Sequence, residues 1–139
     1  MDNTTPPFRI GVAGVGAIGK NHARIMAEIA AKSGGAVVFS AVYDADPARA
    51  VEFAAQYGTQ AASDLADFAS RVDAATIAVP TIYHRPVAEP LMERGIHVLV
   101  EKPISESYSE AQAMIALAQA NNVILQVGHI ERFNPRSEE

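Results

Sequence analysis

The sequence predicts an α/β fold: a doubly wound parallel sheet of six strands, flanked by helices, in a single domain. Three observations carry that expectation. Short apolar runs alternate with amphipathic stretches along the chain, as strands alternate with covering helices. The first run, Phe8–Ala13, passes straight into Gly14-Val15-Gly16-Ala17-Ile18-Gly19 and then into a helical pattern. Six such runs occur, enough for the strand order 3-2-1-4-5-6.

Taken in order, the strand Phe8–Ala13 leads to a helix over Ala17–Lys32, ended by Gly34 and Gly35. Val37–Tyr43 is the second strand. Asp46 caps the next helix, with Pro47 in its first position, where a missing N–H costs nothing. That helix runs to Tyr57 and stops at Gly58. Thr59–Ala62 is a weak, short strand, and Ser63 or Asp64 caps a short helix through Ala69. Ala74–Val79 is a buried strand. The helix after Thr81 runs to Gly95 and contains Pro86 and Pro90, which predict a late start or a kink. His97–Val100 is the fifth strand. Ser107 and Glu110 form a capping box before a helix over Ala111–Ala120, and Val123–Val127 is the last strand.

The length, 139 residues, suits one domain, and 49% hydrophobic residues is ordinary for a globular chain. Residues 1–127 are expected to form the folded unit, and 128–139, poor in periodicity, an exit loop toward a second domain that this chain lacks. No apolar run approaches the ~20 residues that span a bilayer, so no membrane partner is expected. The first seven residues carry no basic stretch and no apolar core, unlike a secretory leader. The absence of cysteine excludes disulfides and thiolate metal sites and fits a cytoplasmic location. A net charge of -5 without clustered Lys or Arg gives no sign of a nucleic-acid partner.

Four stretches carry candidate chemistry. The glycine turn is the strongest, because it sits between a strand and a helix, the setting of a dinucleotide-binding Rossmann domain. Gly14 permits the tight turn, Gly16 lets the backbone approach a pyrophosphate, and Gly19 lets the helix pack on the strand. The main chain of Ala17, Ile18 and Gly19 opens the helix and offers its free N–H groups to that anion. A tight turn that binds nothing is the plain alternative. Asp44, 25 residues after Gly19, ends the second strand, where a carboxylate accepts hydrogen bonds from the adenosine ribose and repels the 2′-phosphate of NADP. Arg49 lies nearby but within the following helix, so the reading is NAD over NADP. Third, Val79-Pro80-Thr81 with His84 closes a strand at the edge where ligands sit in such sheets. Thr81 and His84 either face the cofactor or, respectively, cap the helix and lie solvated on its first turn. Fourth, Glu101-Lys102-Pro103 follows a strand directly, as a polar turn at the ligand crevice or a plain surface ion pair.

Together these motifs resemble the Gfo/Idh/MocA family of oxidoreductases, over nearly the whole chain to Asn134-Pro135. The most diagnostic piece is Glu101-Lys102-Pro103 preceded by Gly95-Ile96-His97-Val98-Leu99-Val100. The resemblance implies an NAD-dependent dehydrogenase that passes hydride from a sugar, cyclitol or sugar-nucleotide secondary alcohol to the nicotinamide. It implies that Pro80, Thr81 and His84 line the cofactor, that Glu101 binds the nicotinamide ribose, and that Lys102 stands beside the ring as the catalytic residue, orienting or polarising the hydroxyl. It also implies a cis Lys102–Pro103 peptide. Gly128–Pro135 is similar to the segment in UDP-N-acetylglucosamine 3-dehydrogenases; a plain hinge is the alternative.

The chain departs from the family by ending at Arg136-Ser137-Glu138-Glu139, before the domain that holds the substrate pocket and general base. The expected reading is a cofactor domain that is catalytically incomplete alone, with a stand-alone NAD-binding sensor as the alternative. Neither His22, expected on the packed face of the first helix, nor His97, expected to be structural, replaces the missing base. Apolar residues over 127–133, left bare, would invite self-association into a homo-oligomer.

Overall fold

A computed structural model describes residues 5–128, the side chains of Ala17 and Ile18 excepted. Strand β1 (Phe8–Ala13) leads into helix α1 (Ala17–Lys32), followed by β2 (Val37–Tyr43) and α2 (Pro47–Tyr57). Then come α3 (Leu65–Arg71), β3 (Ala74–Ile77), α4 (His84–Glu93), β4 (His97–Glu101), α5 (Tyr108–Ala120) and β5 (Leu125–Gly128). The five strands are all parallel, in the order β2-β1-β3-β4-β5.

Of the six predicted strands, the third in chain order, Thr59–Ala62, is absent among the described residues. Thr59–Ala62 pairs with the sheet only at Ala61, which bridges to Val42. Val42 N–H donates to the Gln60 carbonyl at 2.8 Å and Ala62 N–H to the Val42 carbonyl at 2.9 Å. Gly58 ends α2 just before this stretch and Asp64 caps α3 just after it, which leaves no room for a longer ladder. The predicted order therefore survives with its outermost strand reduced to one bridge.

Local capping chemistry sets the helix ends. Asp46 accepts from Ala48 N–H, Asp64 from Asp67 N–H and Ser107 from Glu110 N–H, each meeting one orphan donor of a first turn. Because Ser107 is the cap, α5 begins at Tyr108, three residues before the predicted start. An Arg71–Asp67 contact of 3.0 Å supports the last turn of α3, which ends at Arg71 rather than Ala69. Pro86 falls in the first turn of α4, where no N–H is needed, and a single 3₁₀ turn over Thr81–Tyr83 precedes it; this is the late start that the prolines predict. β3 stops at Ile77, short of Val79, and β5 starts at Leu125, because Val123 N–H is still bonded back to Ala118 as the chain leaves α5.

Helices cover both faces of the sheet. Phe68, Leu91, Met92 and Met114, from α3, α4 and α5, pack on Ile77, Val98 and Val100. On the other face Ala23 of α1 and Phe53 of α2 pack with Val12 and Val42. Among the described residues no helix is long and apolar enough to cross a membrane. The exit loop and the Gly128–Pro135 motif lie outside the described residues beyond Gly128, which is the last residue of β5.

Candidate cofactor site

Parallel strands bring their carboxyl ends to one edge. The register aligns Ala13 with Tyr43 and with Ile77, and Ile77 with Val100. One residue further on, Gly14, Asp44, Ala78 and Glu101 therefore form a row. β1 sits at its centre, because the chain winds outward from β1 to β2 on one side and to β3 on the other. This is the switch point where a crevice opens in such sheets. From Asp44 to Glu101 the row crosses three strand spacings, roughly 14 Å.

The glycines occupy the middle of the row. Gly14 has φ +101, and a Cβ there would stand 2.6 Å from the Ala78 carbonyl oxygen. A Cβ on Gly19 would overlap the Gly14 carbonyl oxygen, so α1 starts as close to the turn as backbone permits. Gly16 is the opposite case: a Cβ there would meet no atom within 4 Å and would project into open space at the helix start. Beside Gly16 runs an open groove of about 630 Å³, lined also by Val15, Lys20, Asn21, Arg49, Glu52, Phe53 and Gln56. Arg49 does lie within α2, as its position in the sequence indicates, and its side chain lines the groove.

Asp44 Oδ1 accepts from Val15 N–H at 3.0 Å and Oδ2 from Asp46 N–H at 2.9 Å. The carboxylate thus ties the end of β2 to the glycine turn. Each of its oxygens keeps acceptor capacity beyond its one bond.

At the other end of the row, Lys102 N–H donates to the Gly128 carbonyl at 3.1 Å, and the Lys102–Pro103 peptide is cis. The Lys102 side chain is exposed. Glu101 is held by a residue the sequence reading did not connect to it. His22 Nε2 lies 2.9 Å from Glu101 Oε2, and only 2% of the His22 side chain is exposed. The signal was present in the spacing: His22 is three residues after Gly19, so both lie on the sheet-facing side of α1.

His84 requires a correction. Its imidazole is buried, 2% exposed, and is neither solvated nor offered to the crevice. Nδ1 stands 3.0 Å from the Ile104 carbonyl oxygen and Nε2 3.1 Å from that of Val79. Both partners are acceptors, so a neutral ring donates one of these bonds and a cationic ring both. His84 braces the loop after β3 against the turn after β4. Thr81 opens the 3₁₀ turn, whose cap position is Pro80 rather than Thr81. His97 is structural, accepting at Nδ1 from Ile124 N–H at 3.0 Å.

The chain is 39% identical over 128 residues to the UDP-N-acetylglucosamine 3-dehydrogenase of Acidithiobacillus ferrooxidans, covering 92% of this chain and 39% of that protein. An inositol 2-dehydrogenase of Leifsonia xyli subsp. xyli is 35% identical over 134 residues, 94% of this chain and 38% of its own length. A solved structure of the Acidithiobacillus enzyme superposes with a TM-score of 0.83 at 37% identity, covering 93% of this chain and 40% of that one. The chain thus spans about two-fifths of the length of these relatives. The family profile described as an oxidoreductase family with an NAD-binding Rossmann fold matches residues 8–129, and with the glycine turn at the switch point it establishes that the chain belongs to the Gfo/Idh/MocA oxidoreductase family.

Proposed function

We propose that this chain is the cofactor half of a dehydrogenase that oxidises a secondary alcohol of a sugar, cyclitol or sugar nucleotide, with NAD as the hydride acceptor. The observation that carries it is the open space at Gly16, flanked by Asp44 on one side and Glu101-Lys102 on the other. A cradle that a Cβ would fill fits a pyrophosphate. The first N–H groups of α1, from Ala17, Ile18 and Gly19, have no partners within the helix and point to the same place. Bound across this edge, the cofactor supplies the hydride acceptor; the remaining work falls to the chain's own residues.

Asp44 would accept the hydroxyls of the adenosine ribose, and its negative charge disfavours a 2′-phosphate. Lys20 and Arg49 at the adjoining groove pull the other way, so a comparison with NADPH decides the matter. Pro80 and Thr81 would border the dinucleotide beside the turn. Glu101 would hold the nicotinamide ribose, and Lys102, exposed beside it, would orient the substrate hydroxyl and favour loss of its proton. The pocket that selects the alcohol would come from sequence outside 1–127, reached through 128–139. The two relatives name UDP-N-acetylglucosamine and inositol as the first substrates to try.

Calorimetric titration of the chain with NADH and NADPH tests the cofactor, with tighter binding of NADH expected. In the enzyme that carries this domain, Lys102→Ala should cut turnover severely and leave NADH affinity within a few-fold. Failure of both nucleotides to bind the folded chain would remove the proposal, and unchanged turnover would remove the role of Lys102.

A further inference from the structure

We infer that His22 is a positioning residue: it fixes the Glu101 carboxylate and so couples the helix at the glycine turn to the nicotinamide end of the site. This deepens the reading above and rests on Glu101 contacting the nicotinamide ribose. Three observations support it. His22 is all but inaccessible, and its Nε2 meets Glu101 Oε2 at 2.9 Å. Helix α1 packs on the apolar cluster around Val12 and Val42, whereas Val98 and Val100 of β4 belong to the separate cluster on the other face. The imidazole therefore forms a polar bridge between elements whose apolar packing is not shared. Gly19, one turn earlier on the same side of α1, allows the close approach of α1 that puts the ring within reach.

A buried imidazole–carboxylate pair is a poor stabilising device, because desolvation offsets most of the attraction. Its definite effect is geometric. One carboxylate oxygen is pinned, which sets the plane in which Glu101 meets a ligand. The same helix carries at its first turn the N–H groups aimed at the pyrophosphate. Movement of α1 at one end would therefore be felt as movement of Glu101 at the other.

The test compares ADP, which ends before the second ribose, with NADH, titrated calorimetrically into the 139-residue chain. His22→Leu removes the donor and keeps an apolar filling. It should bind ADP within about twofold of the parent and NADH about tenfold more weakly, the scale of one charge-assisted hydrogen bond. His22→Gln, which offers an amide N–H at similar reach, should restore NADH binding to within a few-fold. In a Glu101→Ala background, His22→Leu should cost nothing further. Circular dichroism reports folding; should His22→Leu fail that check, His22→Ser takes its place in the comparison. Equal losses for ADP and NADH would overturn the inference by marking a general structural effect. So would NADH weakened by Glu101→Ala but untouched by the His22 variant. If Glu101→Ala itself leaves NADH binding intact, the reading of Glu101 fails and the inference with it.

Discussion

Replacing Gly19 with alanine puts a methyl group where the Gly14 carbonyl oxygen already is, with the Gly14 carbonyl carbon only 2.8 Å away. Both obstacles are backbone in a turn whose φ of +101 leaves little freedom, so relief requires α1 to move off the sheet. Overpacking of this kind costs ~1–3 kcal/mol and more where the backbone must shift. The gain in helix propensity from glycine to alanine returns at most ~1 kcal/mol. A net loss of about 2 kcal/mol follows, which at this size lowers Tm by roughly 8 °C. Gly16→Ala provides the matched control. Gly16 has φ -76, open to any residue, and the added methyl meets nothing. Its stability should stay within ~1 kcal/mol of the parent, the change expected from exchanging glycine for alanine at a helix cap. Nucleotide binding should behave in a different order. Gly16→Ala, stable, should lose NADH affinity by about tenfold or more, because the methyl occupies the space proposed for the pyrophosphate. Chemical denaturation and calorimetry on the two variants separate these outcomes. A Gly19→Ala chain as stable as the parent, or a Gly16→Ala chain that binds NADH unchanged, would refute the assignment of roles within the turn.

His84→Ala should destabilise the chain by about 3 kcal/mol, from the lost imidazole hydrogen bonding and the volume of a buried ring; an unchanged denaturation midpoint would show that the ring is not a brace. Asp73 is held below the usual carboxylate range by the Arg9 guanidinium, whose Nη2–H donates to Oδ1 at 3.0 Å, with a main-chain bond and the opposite charge adding to it. A carboxylate lowered in the folded state adds stability that is present above its unfolded pKa of ~4 and is lost as pH falls through the folded value. Asp73→Asn should therefore cost no more than ~1 kcal/mol at neutral pH, the pair being half-exposed, and the gap between the two chains should close in acid. Thermal melts of both across that range check the sign.

Much of this fold was legible because its determinants are local. β1, α1, β2 and α2 match their predicted limits, since each is bounded by a cap, a glycine or the glycine turn. The element that failed, Thr59–Ala62, lies beside the free edge of β2 but is so tightly bounded by Gly58 and the Asp64 cap that it pairs only at Ala61, a length the apolar run alone does not reveal. The site divided in the same way. The conformations at Gly14, Gly16 and Gly19 follow from their spacing, and Asp44 stands at its strand end. The histidines did not reveal their partners. His84 bonds a carbonyl 20 residues away, and His22 a carboxylate 79 residues away, contacts that exist only once the sheet is assembled.

Those long-range contacts converge on one turn. Glu101 is gripped by His22, Lys102 N–H is bonded to Gly128, and the Ile104 carbonyl is bonded to His84. Three separate elements, α1, β5 and the start of α4, thus hold three of the four residues of the turn 101–104. The Lys102 side chain is exposed while its backbone is tethered. In the role proposed for Lys102, meeting a reacting hydroxyl at hydrogen-bond range, such support helps, since its backbone need not reorganise when the charge develops. The grip comes from within residues 5–128, so the position of the Lys102 backbone is set by this domain itself. On the proposed reading, whatever surface brings the alcohol has to be built to meet it there.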